Sequence, residues 1–189
     1  MKHLQVFKFL VFTFILLISA TSCSKDAMHD NAQLASVSVS LKSTTQDLNK
    51  VYLDIADVQI RVKQEKSVSD AWVSLNAINT GTHNVSALNE DAQLLLVNYS
   101  EIESTYVYEI RIVLDDNNFI DINETLFSLE VADKGNATPS NIVNSEFKAN
   151  HMYDIVIDLD LDESISFNTS DNMMVLNAKT STEIRDIQY

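Results

Sequence analysis

The sequence predicts an all-β fold, an antiparallel β-sandwich of the immunoglobulin or transthyretin-like kind. Three observations point there. From Val37 onward apolar residues alternate with polar ones, the period of a strand with one buried face. No long stretch repeats at helical spacing. The alternating runs are short, roughly eight to ten of them, and polar turns separate them, which is how a sandwich reads.

In chain order, "VSVSL" puts Val37, Val39 and Leu41 on one face. "VYLDIADVQIRV" puts Val51, Leu53 and Ile55 on one face, then Val58, Ile60 and Val62. The parity flips inside one apolar run, which predicts either a β-bulge near Ala56–Asp57 or a strand passing from one sheet to the other. "WVSL" and "HNVSAL" read as short strands, and "NEDAQLLLV" as a helical turn capped by Asn89 that runs into a strand. "TYVYEIRIVLD" aligns Tyr106, Tyr108, Ile110, Ile112 and Leu114, with Glu109 and Arg111 opposite. "FIDI" and "TLFSLEV" predict a hairpin around Asn123–Glu124, the second strand aligning Phe127, Leu129 and Val131. "MYDIVIDLDLD" aligns Tyr153, Ile155, Ile157, Leu159 and Leu161, and "MMVLNA" and "EIRDI" complete the set. The segment 132–144, with the only Pro and one of the two Gly, is expected to be an exposed loop. Seventeen Asn stand in for the missing Gly and Pro, because Asn tolerates left-handed backbone and caps turns.

The N-terminus carries a separate signal. Lys2, His3 and Lys8 precede the apolar run "FLVFTFILLI", Phe9 to Ile18. As a helix that run is roughly 15 Å long, about half a bilayer core, which suits a secretory signal better than a membrane span. Ser19, Ala20, Thr21 and Ser22 follow, then Cys23, the chain's single cysteine. That order resembles a bacterial lipobox, in which cleavage before the cysteine leaves a thiol that carries diacylglycerol. The expected organisation is a signal peptide over 1–22, a lipidated Cys23 with a polar tether over 23–36, and a β-sandwich domain over 37–189. Cys23 is the expected membrane anchor, and the expected location is the cell envelope, as an outer-membrane lipoprotein on the periplasmic face or at the cell surface.

Acids outnumber bases 27 to 13. Such a polyanion is repelled by nucleic acid and by anionic lipid headgroups, so no nucleic-acid partner is expected. A single cysteine allows no internal disulfide.

The blocks "VYLDIADVQIRV", "WVSLNAINTGTHNVSAL", "EIRIVLDDNNFIDINETLFSLEV" and "YDIVIDLDLDESI" resemble Domain of Unknown Function 4382, a family found mostly in secreted lipoproteins of Gram-negative bacteria. The likeness runs from about Val37 to Asp186. It implies an extracytoplasmic β-sandwich and no particular activity. The turn after "VLDDNN" is acidic here, where family members are richer in Gly and Ser.

No constellation identifies a reaction, and the domain is expected not to be an enzyme. There is no Gly-x-Ser-x-Gly elbow, and His29, His83 and His151 show no zinc-ligand spacing. Trp72 is the only Trp, so an aromatic-rich glycosidase cleft is not expected. Asp115, Asp116 and Asn118 in "LDDNNFIDINE" and Asp158 and Asp160 on the ladder of "MYDIVIDLDLD" are the candidate metal ligands. Either the two segments converge on a calcium ion, which needs six to eight oxygens, or they form a solvated acidic face; no other cofactor is expected. Tyr52, Tyr99, Tyr106, Tyr108 and Tyr153 either stack on sugars or pack within the sheets. The expected function is a non-enzymatic envelope domain that binds or scaffolds, with an envelope protein or a glycan as partner. The alternative is a carbohydrate- or matrix-binding surface module that uses calcium.

Overall fold

The computed structural model describes residues 34–46, 49–132 and 141–188. The expected signal segment, Cys23 and most of the tether lie outside them, as does most of the expected loop over 132–144. The folded unit, Gln33–Tyr189, is nearly all strand. In chain order the strands are β1 (Leu34–Thr44), β2 (Lys50–Arg61), β3 (Trp72–Ser74), β4 (Gly81–Asn84), β5 (Leu94–Glu103), β6 (Thr105–Leu114), β7 (Phe119–Ile122), β8 (Thr125–Val131), β9 (Asn141–Phe147), β10 (His151–Asp160), β11 (Ile165–Asn168), β12 (Met173–Leu176) and β13 (Lys179–Gln188). A single-turn helix, α1 (Leu161–Ser164), follows β10, and a 3-10 turn over Val85–Ala87 follows β4.

The strands form two sheets. One has four strands in the order β13-β10-β1-β5; the other has nine, running β11-β12-β8-β7-β2-β6-β9 with β3 and β4 also on β2. Buried Val37, Val39, Leu41, Ile155 and Ile157 of the first sheet share one core with Leu53, Ile55, Ile60, Ile110 and Leu114 of the second. The architecture is therefore sandwich-like. The expectation of a wholly antiparallel sandwich is corrected: β1 runs parallel to β10 and β12 parallel to β8. Alternation reports that one face of a strand is buried and the other is not; β1 and β10 alternate because their sheet has an outward face, although the pair is parallel. β1 also starts at Leu34, inside the segment read as tether.

The parity flip in β2 is a bulge. Ile55 pairs with Leu114 and Asp57 with Val113, leaving Ala56 as the extra residue. In β6 the alternation slips at Tyr108–Glu109, across from the irregular register of β9, where Asn144 has a φ of 46°. Val107 is therefore buried and Tyr106 exposed, the reverse of the expected alignment. Phe127 is 43% exposed although Leu129 is buried, because β12 pairs only with residues 129–131 of β8. Residues 85–87 of the expected "HNVSAL" strand coil into the 3-10 turn. Asn89 caps a turn, its side-chain carbonyl accepting from the amides of Asp91 and Ala92 at 2.9 and 3.0 Å.

Asn fills most of the left-handed positions among the described residues. Asn76, Asn123, Asn144, Asn150 and Asn172 all have positive φ. In the β7–β8 hairpin, Ile122 pairs with Thr125, and both turn residues, Asn123 (φ 50°) and Glu124 (φ 66°), are left-handed. That is the geometry of a type I′ turn, which favours Asn then Gly. Glu124 carries a Cβ where Gly would be unstrained. Glu124→Gly is therefore expected to stabilise the domain by about 0.5–1 kcal/mol, read as a higher midpoint in urea.

Two titrations weaken the fold at alkaline pH. Lys42 has a buried stem on β1, and its ammonium pairs with Glu90 and lies 3.4 Å from Asp158. The Glu90 hydrogen bond, then Asp158, hold its pKa above the ordinary lysine value against the opposing cost of burial. Burial, which opposes the shift at Lys42, raises the Tyr153 phenol. Both groups bind their proton more tightly when folded, so their contribution is complete below the ordinary values of 10.5 and 10.0 and is lost as pH rises beyond them. Stability is expected to fall above pH 10 on both counts, which a pH series of thermal melts will show.

Candidate functional site

The outward face of the four-stranded sheet carries a trough of about 300 Å³. Its floor is built by register. Across β13, β10 and β1, Arg185, Asp154 and Ser38 form one row, and Glu183, Val156 and Ser40 form the next. Side chains two apart on a strand share a face, so the serines of "VSVSL" point out where its valines point in. The Ser38 hydroxyl donates to the Val97 carbonyl at 3.2 Å. Glu183 and Arg185 form one wall; Gln93 and Tyr99 line the trough from the β5 side.

A bulge bears on how Tyr99 is presented. Val37 pairs with Ser100 and Val39 with Val97, so Asn98 and Tyr99 together oppose Ser38. An extra residue of this kind bends an edge strand and re-aims a side chain. Tyr99 takes a φ of 50°, strained backbone for an aromatic residue, and the residue is 50% exposed. Among the five tyrosines considered for sugar stacking, it alone lines this trough. Tyr52 stacks on Phe119 at 4.6 Å and Tyr153 on Phe147 at 4.1 Å. Tyr108 lies under the Arg61 guanidinium at 4.9 Å and beside Tyr106.

The five candidate calcium ligands are not brought together. Asp115, Asp116 and Asn118 lie in the β6–β7 turn of the nine-stranded sheet, whereas Asp158 and Asp160 lie on β10 of the other. Asn118 is buried as a structural clamp: its carbonyl accepts from the Asp54 amide at 2.9 Å and its amide donates to the Asp115 carbonyl. Asp158 accepts from Thr44 at 3.2 Å and pairs with Lys42. Asp160 caps α1 by accepting from the Glu163 amide at 3.0 Å. Asp162 accepts from Thr45 and from the Gln46 amide. Among the described residues no group of three or more His, Cys, Asp or Glu is placed to hold a metal ion. Asp158, Asp160 and Asp162 are instead taken up by the end of β1, the two residues after it and the first turn of α1.

His83 contacts the carbonyls of Asn79 and Thr80, and His151 pairs with Asp186 at 2.7 Å; neither lines the trough. Sequence reading missed Ser38, Ser40, Gln93, Glu183 and Arg185. The polar phase of "VSVSL" marked an outward face, but only the strand order β13-β10-β1-β5 joins it to Glu183 and Arg185. No helix among the described residues is long and apolar enough to cross a membrane.

A model of the family described as Domain of unknown function (DUF4382) matches residues 34–177, most of the chain. β13, with two of the trough's residues, lies beyond the matched range. No curated protein and no solved structure matches the chain.

Proposed function

Since the chain belongs to the DUF4382 family, we propose that it is a non-enzymatic binding domain, held at the cell envelope by a lipidated Cys23, whose trough takes a polar, sugar-sized ligand. The observation that carries this is Tyr99: an exposed aromatic ring, on strained backbone at a bulge, beside a floor of serines and an Asp on rigid strands. Strain of this kind costs about 1–3 kcal/mol and concentrates where it serves binding or catalysis. An aromatic wall over a polar floor suits a sugar, which stacks one face of its ring and hydrogen-bonds its hydroxyls. Binding is favoured over catalysis because the Ser38 hydroxyl is committed to a carbonyl and the lining residues include no histidine to take its proton.

The test separates ligand binding from folding. Asn adopts left-handed backbone readily but lacks the ring. Tyr99→Asn is expected to keep or raise thermal stability while abolishing retention of the protein on an array of neutral and uronic-acid oligosaccharides. Absence of wild-type binding across the array, or binding that survives Tyr99→Asn, would sink the glycan reading. An envelope protein would then be the partner to seek.

A further inference from the structure

We propose that β13 is a self-association edge, along which two copies of this chain pair antiparallel about a two-fold axis at Ile184. β13 is the end strand of its sheet and pairs with β10 alone among the described residues. It is ten residues long, without Pro or Gly, and its register with β10 runs unbroken from His151–Gln188 to Asp160–Lys179. The unpaired backbone groups of an edge of that length and regularity can template another strand, and charged side chains decide which strands are admitted. Here the charges have opposite signs and stand two residues apart.

An antiparallel two-fold at Ile184 sets Glu183 against the partner's Arg185 and Arg185 against the partner's Glu183. Cross-strand pairs of opposite charge favour a register, and like pairs oppose it. Both side chains are exposed, and neither forms an ion pair within the chain among the described residues. In this register the partner's Asp186 stands opposite Thr182 on the same face of the strand. Ile184, half-buried, meets its own copy, and exposed Ile187 stands opposite Ser181. The occupant of this edge is therefore a second copy, since the residues complement themselves. Glu183 and Arg185 also wall the trough, but the pairing of two copies needs no ligand there.

The experiment is light scattering of the whole chain in detergent, with the detergent mass subtracted, from micromolar to hundred-micromolar concentration. Wild type is expected to reach twice the monomer mass as concentration rises. Glu183→Arg and Arg185→Glu each set like charges across the axis and are expected to weaken dimerisation at least about tenfold. The double swap, Glu183→Arg with Arg185→Glu, restores opposite charges and is expected to recover the dimer. Thermal melts of all three variants establish that they fold; both positions are exposed, so large losses are not expected. A wild type that stays monomeric throughout, a dimer indifferent to the single changes, or a double swap as weak as the singles would each overturn the proposal.

Discussion

Phe147→Ala is expected to cost the domain about 3–5 kcal/mol, the range for deleting a fully buried aromatic side chain. Phe147 ends β9 in the nine-stranded sheet and is fully buried. Its ring lies parallel to that of Tyr153 on β10, at 4.1 Å and 6°, so the stack joins one sheet to the other across the core. The Tyr153 hydroxyl completes the joint, accepting from the Lys148 amide at 2.9 Å and donating to the Glu146 carbonyl at 3.3 Å. Truncation at Phe147 opens a cavity and strips one face of Tyr153, and rigid strands on both sides leave little room to collapse. Urea denaturation monitored by tyrosine fluorescence measures the loss. A cost below about 1 kcal/mol would mean that the two sheets close over the gap.

The second large effect is electrostatic. Arg61 on β2 and Glu109 on β6 are directly opposed in register, both buried, and bonded at 2.9 Å. Lys66 reaches the same carboxylate at 2.7 Å, and the guanidinium also donates to the carbonyls of Lys63 and Gln64. Glu109→Leu leaves the buried guanidinium without a counter-charge and is expected to cost about 3–5 kcal/mol. Arg61→Met with Glu109→Leu removes both charges and is expected to recover most of that, since a well-packed apolar pair often matches a buried ion pair. The double-mutant cycle in urea checks both statements. A single change costing under about 1 kcal/mol would show that the two loop carbonyls and solvent suffice to hold Arg61.

What could be read in the sequence was whatever depends on one strand at a time. The flip from Ile55 to Val58 located the bulge at Ala56, and Asn123–Glu124 located the β7–β8 turn. The even-spaced apolar side of β10, from Tyr153 to Leu159, is buried throughout. What could not be read depends on neighbours. Glu109 looked like an outward acid, yet it is buried because Arg61 stands opposite it. Asp158 and Asp160 looked like free ligands, yet Lys42, Thr44 and the first turn of α1 take them up. The trough escaped for the same reason: its rows draw on three strands that lie far apart in the chain, and its Tyr99 wall needs a bulge that alternation in "LLLVNYSEIE" does not announce.

The parallel pairing of β1 with β10 also governs how the chain reaches its fold. β1 is nearly the first segment of the domain, yet it is completed only when residues 152–160 dock beside residues 36–44. A nucleus that includes this pair must close a very long loop, the kind of non-local contact that places sheet proteins in the millisecond-to-second range of folding times. The four-stranded sheet cannot finish until late in synthesis, because two of its strands, β10 and β13, come from the C-terminal part of the chain. One flank of β1 stays open until those C-terminal residues have been made.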